Sequence, residues 1–203
     1  MTNRELITSI IKKLDYIKPG MIPEIDLYMD QVTTFMDSNL EKSKRNESDK
    51  ILTKTMINNY AKNDLLPPPL KKKYSKEHLL VLVFIYYLKN ILSISDIQTL
   101  LSPLTDKYFS ASEGLTLEEI YETVFELEEK QFKAMAKDVL QKYSLASEQF
   151  TEEEKEDCEF LQTFSFICML AFDVYVKKQM IEKLIDEMKE KAETVDTKNK
   201  KKK

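Results

Sequence analysis

Apolar residues recur at helical spacing through most of the chain. Leu6, Ile7, Ile10, Ile11 and Leu14 share one side of a short amphipathic helix expected over 3–16. The stretch "KPGMIP" breaks it. A second helix is expected from Asp26 to Asn39, with Asp26 as its N-cap and Leu27, Val32, Phe35, Met36 and Leu40 facing inward. "EKSKRNESD" follows without an apolar residue and reads as a mobile connector. Thr53 then caps a helix over 54–63 that turns Met56, Ile57 and Tyr60 to the core. Pro67, Pro68 and Pro69 are expected to end it, because proline lacks the amide donor and restricts the residue before it. Ser75 caps the next helix, which reaches about Asn90 and is apolar on nearly all sides, so it forms the core of the first half. A short helix from Asp96 to Leu101 is expected to stop at Pro103.

The second half reads as two long helices. Thr116 caps one of about 28 residues. Thr151 and Glu154 have capping-box spacing for another that reaches about Glu190. Its apolar positions 160, 164, 167, 171, 174, 181 and 185, with Lys178 among them, keep the helical period, and 161, 168, 172 and 175 widen the face. Such a helix is expected to lie buried in a bundle or at a dimer interface. Cys158 and Cys168 fall on it and are expected as plain core cysteines. Met135, Phe164, Phe166, Met169 and Phe172 are expected to fill the core rather than line a pocket. The lysine-rich tail from 193 to 203 is expected to be disordered.

Composition agrees with a mostly helical, all-α chain. Gly20 and Gly114 are its only glycines, too few for the turns of a sandwich or barrel. With 42% apolar and 33% charged residues, a packed core is expected. "HLLVLVFIYYLKN", bracketed by His78 and Lys89, is too short to span a bilayer, and the amphipathic N-terminus is not expected to be a signal peptide. A cytoplasmic protein with no membrane partner is expected. The expected domains are 1–104, 105–192 and the tail.

Candidate chemistry is sparse. One histidine cannot supply a base and its orienting partner, two glycines cannot build a phosphate loop, and no Cys/His or Asp/Glu set has metal-ligand spacing. Glu118–Glu119 and Glu152–Glu154 sit at expected helix starts, where carboxylates favour the dipole. The reading is therefore not an enzyme, with no cofactor. Charge is more informative. Residues 105–203 carry 16 Lys/Arg against 23 Asp/Glu, yet residues 50–76 hold seven lysines against Asp64 alone. His78 lies just beyond that basic island and is expected to pack beside Tyr74, with a phosphate or partner contact as the sharper alternative.

In order, the helix, "LLPPP", a basic turn, "YSKEHL", an apolar helix and "LSISDIQTLL" resemble the DNA-binding half of MerR-type winged-helix regulators. Leu65-Leu66 with Pro67 or Pro68 match a Leu-Leu-x-Pro element, Tyr74-Ser75 the helix entry, and Leu79, Leu82, Ile85 and Leu88 the apolar helix. Leu92, Ile94, Ile97 and Leu100-Leu101 match the last helix. More closely, "IPEIDLYMDQVTTF" with "LTKTMINNYAKNDLLPPPLKKKYSKEHL" is similar to an uncharacterised bacterial family of MerR-like character. The resemblance implies a winged helix-turn-helix domain followed by a bundle of long helices. It implies a transcriptional regulator that binds DNA and dimerises through its C-terminal helices. The implied contacts are Lys54, Thr55, Asn58, Asn59, Tyr60 and Lys62 on a recognition helix, with Lys71, Lys72, Lys73 and Tyr74 in a basic wing. Asparagine can pair bidentately with adenine, and wing lysines neutralise phosphates. The alternative is a protein-interaction module on the same scaffold that has lost DNA binding.

Overall fold

A computed structural model of the chain describes residues 5, 7–9, 17–111 and 113–200, with side chains described up to residue 194. The described residues are mostly helical and carry one two-stranded sheet, in keeping with the all-α expectation. Contacts divide it into a larger unit, residues 16–125 with 182–203, and a smaller one, residues 1–15 with 126–181. These bounds differ from the break expected after residue 104, because one helix runs unbroken from the larger unit into the smaller and another runs back.

In the larger unit, strand β1 (Leu27–Tyr28) leads into α1 (Met29–Leu40). Asp26 does not cap this helix; the N-cap is Tyr28, whose amide donates to the Gln31 side chain at 2.9 Å. Val32, Met36 and Leu40 are buried. The connector expected to be mobile is tethered. A 3-10 turn occupies Glu41–Ser43, the hydroxyls of Ser43 and Tyr86 lie 2.5 Å apart, and Lys44 pairs with Asp37 at 3.3 Å. Ile51 and Leu52 are buried, and Lys89, whose pKa burial lowers, donates to the Ile51 carbonyl at 2.7 Å.

Helix α2 (Lys54–Lys62) and strand β2 (Lys73–Tyr74) precede α3 (Lys76–Leu88). Strand β2 pairs antiparallel with β1, Leu27 opposite Tyr74 and Tyr28 opposite Lys73. Leu79 to Val83 and Ile85 of α3 are fully buried, so the all-round apolar pattern does mark the central helix. Helix α4 (Ile94–Tyr108) passes through Pro103 rather than stopping there. Pro103 is exposed, and the carbonyl that would lose its amide partner is that of Thr99, one turn earlier on a half-buried residue. The Thr105 hydroxyl donates to the carbonyls of Leu101 and Ser102 at 3.2 and 3.1 Å, bracing the same turn.

Helix α5 (Leu117–Ser147) starts in this unit. Thr116 caps it as expected: its hydroxyl accepts from the Glu119 amide at 3.2 Å, and its own amide donates to the Glu119 carboxylate at 2.8 Å. The first turns bury Leu117 and Tyr121. The Tyr121 hydroxyl donates to the Ile17 carbonyl at 2.5 Å, and its ring packs edge-on to Phe84 at 5.4 Å. Lys76 joins Glu24 and Glu118 at 2.5 and 2.7 Å. Burial alone would lower the Lys76 pKa, but its hydrogen bonds to Glu118 and Glu24 outweigh that and raise it.

Helix α6 (Lys155–Lys200) begins one residue after Glu154, so Thr151 lies in the preceding turn and not at the N-cap. It stays helical to Lys200, into the stretch expected as a disordered tail. Within the larger unit, Lys189 of α6 pairs with Asp96 of α4 at 2.8 Å.

In the smaller unit Ile7, Ala146 and Phe166 form a buried cluster, flanked by Val139, Leu140, Tyr143 and Leu170. Lys142 pairs there with Asp138 and, at 2.8 Å, with Asp173. Glu5 and residues 7–9 are helical; the remainder of the expected 3–16 helix, including Leu6, Ile10, Ile11 and Leu14, lies outside the described residues. Helix α6 departs most from expectation. Phe160, Phe164, Ile167, Phe172, Val174 and Tyr175 are 53–66% exposed, Met135 of α5 is also exposed, and Cys168 is exposed with Cys158 half-buried. Its packing against α5 uses Phe166 and Leu170, which leaves the face expected in the core uncovered. One 18-residue window of α6 is apolar and long enough to cross a membrane, a stretch that α3 had been expected to provide the nearest approach to.

Candidate nucleic-acid interface

The expected recognition helix is α2, and its orientation follows from its sequence. The Thr53 side chain accepts from the Met56 amide at 3.1 Å, which fixes the first turn. Ile57 and Tyr60 are buried, three residues apart on one face. The other face is therefore turned outward, and Lys54, Thr55, Asn58, Asn59 and Lys62 are all exposed there. Lys54 forms an ion pair with Asp30 of α1. Tyr60 and Tyr74, also expected at the contact, belong to the core instead, and burial raises both phenol pKa values.

The prolines do not end α2. The helix closes at Asp64, whose φ is +54°, and the amides of Leu65 and Leu66 both donate to the Tyr60 carbonyl, at 2.9 and 3.3 Å. Leu65 and Leu66 then bury. Helix termination is complete before Pro67, and the prolines set the path toward the hairpin.

That hairpin is formed by the lysine run. Leu70 faces Lys73 across a two-residue loop, with the Lys73 amide donating to the Leu70 carbonyl at 2.9 Å. Both loop residues are left-handed, Lys71 at φ +49° and Lys72 at φ +65°. Positive φ at both central positions defines a primed turn, a geometry dominated by Asn-Gly and Asp-Gly. A bulky side chain there costs on the order of 1 kcal/mol or more. The strain holds two exposed lysines at the hairpin tip. Lys73 is half-buried, its ammonium 5.3 Å from the centre of the Tyr28 ring.

His78 is a packing residue. It is buried between Tyr74 and Phe109, with ring centroids 5.4 and 4.7 Å away, both edge-on. Its Nδ1 accepts from the Ser75 amide at 2.9 Å, so Nε2 carries the proton of the neutral ring. Nε2 is buried without a hydrogen-bond partner. Burial is the dominant influence and lowers the His78 pKa.

Two features at this site were not anticipated: the left-handed lysine pair and the left-handed Asp64. The sequence signal for the first was the absence of glycine between two short β-prone segments, which by itself does not declare a turn type.

The fold and this surface define a small helical module with one strained basic hairpin. Residues 17–124, more than half of the chain, match the family model Domain of unknown function (DUF1836), and the chain belongs to that family. The matched span coincides to within one residue at each end with the first segment of the larger unit. Comparison with curated proteins and with solved structures gives no match.

Proposed function

We propose that this protein is a DNA-binding regulator of MerR-like type, acting as a homodimer and not as an enzyme. The observation that carries the reading is the outward face of α2, where Lys54, Thr55, Asn58, Asn59 and Lys62 stand together with every bulky apolar residue turned away. Asn58 and Asn59 would read base edges in the major groove, and Lys62 would contact guanine or phosphate. Lys71 and Lys72, at the hairpin tip, would add phosphate contacts that position the helix. The pairing of the hairpin strand with β1 supports a winged-helix reading, since it braces the tip against the start of α1.

A second reading, an interaction module on the same scaffold, draws on the engagement of two of the cations: Lys54 with Asp30, and Lys73 over Tyr28. Fluorescence anisotropy with a random-sequence duplex across a salt series separates the two. Micromolar binding with a salt slope that a Lys71/Lys72/Lys73→Glu variant loses supports the regulator. Absence of binding at low salt removes it and leaves the interaction module.

A further inference from the structure

The outer face of the small sheet carries one residue that the packing does not use. Directly paired residues of an antiparallel ladder project their side chains to the same face. Leu27 and Tyr74 are paired and both buried, so they mark the inner face. Tyr28 and Leu70 each stand opposite Lys73, one on either side of it, and the three form a row across the outer face. Within the row the Lys73 ammonium lies over the Tyr28 ring, so these two brace each other. Leu70 is left 75% exposed, more than any other large apolar side chain among the described residues.

A lone exposed leucine asks for no explanation, but this one is held out by its surroundings. Pro67, Pro68 and Pro69 precede it, and proline fixes φ, so the stem has little freedom. Lys71 and Lys72 follow it in the left-handed region, at φ +49° and +65°. The tip is a stiff finger with an apolar end and two exposed cations beside it. Of Glu24, Asp26 and Asp30 around β1, the first is held by Lys76 at 2.5 Å and the last by Lys54. An apolar end flanked by cations fits a ligand that is anionic outside and a stack of flat apolar faces inside. Duplex DNA has that construction. An acidic peptide is the other ligand for such charges. Peptides dock into grooves lined by several apolar anchors, however, and the tip presents one convex side chain.

We propose that Leu70 is a wedge that enters a base step of the bound duplex and partly unstacks it, while Lys71 and Lys72 hold phosphates beside that step. The proposal rests on the DNA-binding reading above and adds a source of sequence preference that α2 does not supply. Unstacking costs least at pyrimidine–purine steps such as TA and more in stiff A-tracts, so the wedge selects sites by how easily they open. Asn58 and Asn59 would read base edges, and Leu70 reads deformability.

The test uses the full chain and two short duplexes, one of repeated TA steps and one an A-tract, each with 2-aminopurine in place of one adenine. Fluorescence anisotropy of an end label reports binding. The emission of 2-aminopurine, which rises on unstacking, reports the wedge. Wild type should bind the TA duplex roughly ten-fold more tightly than the A-tract and brighten its 2-aminopurine. Leu70→Ala, at an exposed site, should keep its helicity by circular dichroism and its salt slope, since no cation is lost. It should lose the brightening and most of the preference for TA. Leu70→Met, which keeps an apolar side chain of similar volume, should recover both. Binding without brightening, or brightening that Leu70→Ala retains, would overturn the wedge while leaving the DNA-binding reading in place. No anisotropy change at low salt would overturn both and assign the tip to an acidic protein partner.

Discussion

Replacing Lys71-Lys72 by Asn-Gly should make the protein more stable and its hold on DNA weaker. Lys71 and Lys72 sit at φ +49° and +65° in a two-residue loop closed by the Lys73 amide on the Leu70 carbonyl. Two left-handed lysines store about 2 kcal/mol together, taking the lower end of the usual cost per residue. Asparagine tolerates this region and glycine is unstrained in it, but glycine gives back roughly 0.5 to 1 kcal/mol through the freedom it adds to the unfolded chain. The net gain expected is about 1 kcal/mol, or a rise in melting temperature of about 3 °C for a chain of this size. Circular-dichroism melts of wild type and variant at neutral pH measure it. The same variant loses two cations, so the slope of log affinity against log salt should fall by about 2 if both lysines contact phosphate. A variant less stable than wild type would refute the strain argument. Unchanged affinity and slope would refute the role given to the lysines, whatever the stability.

Three further outcomes are expected. Tyr121→Phe removes the hydroxyl that donates to the Ile17 carbonyl and should cost about 1 to 2 kcal/mol in urea denaturation; no change would mean that the carbonyl finds another donor at no cost. Because burial lowers the His78 pKa, the unfolded chain binds a proton below about pH 6.5 that the folded chain resists. Stability is then full above that pH and should fall on acidification by up to about 1.4 kcal/mol per pH unit; comparing denaturation midpoints at pH 7.5 and 5.5 for wild type and His78→Gln should show a steeper loss in wild type. Asp96→Asn breaks the pair with Lys189, whose hydrogen bond is the main cause of the lowered Asp96 pKa, and should raise amide exchange in α6 beyond residue 182 without changing α2.

Local chemistry was the most legible layer of the sequence. Thr53 and Thr116 announce helix starts because a capping hydroxyl acts within three residues, and Ser75 marks another, its amide held by the His78 ring three residues on. The continuous apolar run of α3 announces the central helix, since no face of it suits water. Misreadings came where a distant group decides. Asp26 yields its place to Tyr28 because β1 pairs with a strand far along the chain. Pro103 itself is exposed, and the Thr105 hydroxyl braces the helix beside it by donating to the carbonyls of Leu101 and Ser102. The connector after α1 looked mobile from its composition, whereas Tyr86 of α3 holds Ser43 at its start and Lys89, just past α3, holds Ile51 after its end.

The surface assigned to DNA was partly legible for the same reason. Helical period separates Ile57 and Tyr60 from Asn58, Asn59 and Lys62, so the outward stripe could be read directly. Tyr60 and Tyr74 were misassigned because a tyrosine has both an apolar body and a polar tip, and the sequence does not say which is used. The periodicity of α6 was equally clear, but periodicity reports a face and not what covers it.

The most direct test of the central claim is hydrogen–deuterium exchange on the full chain, with and without a random-sequence duplex at low salt. Protection at residues 54–62 and 70–73, with the rest of the larger unit unchanged, is the result the account expects. Binding that protects neither segment, or protects only the exposed face of α6, would contradict it.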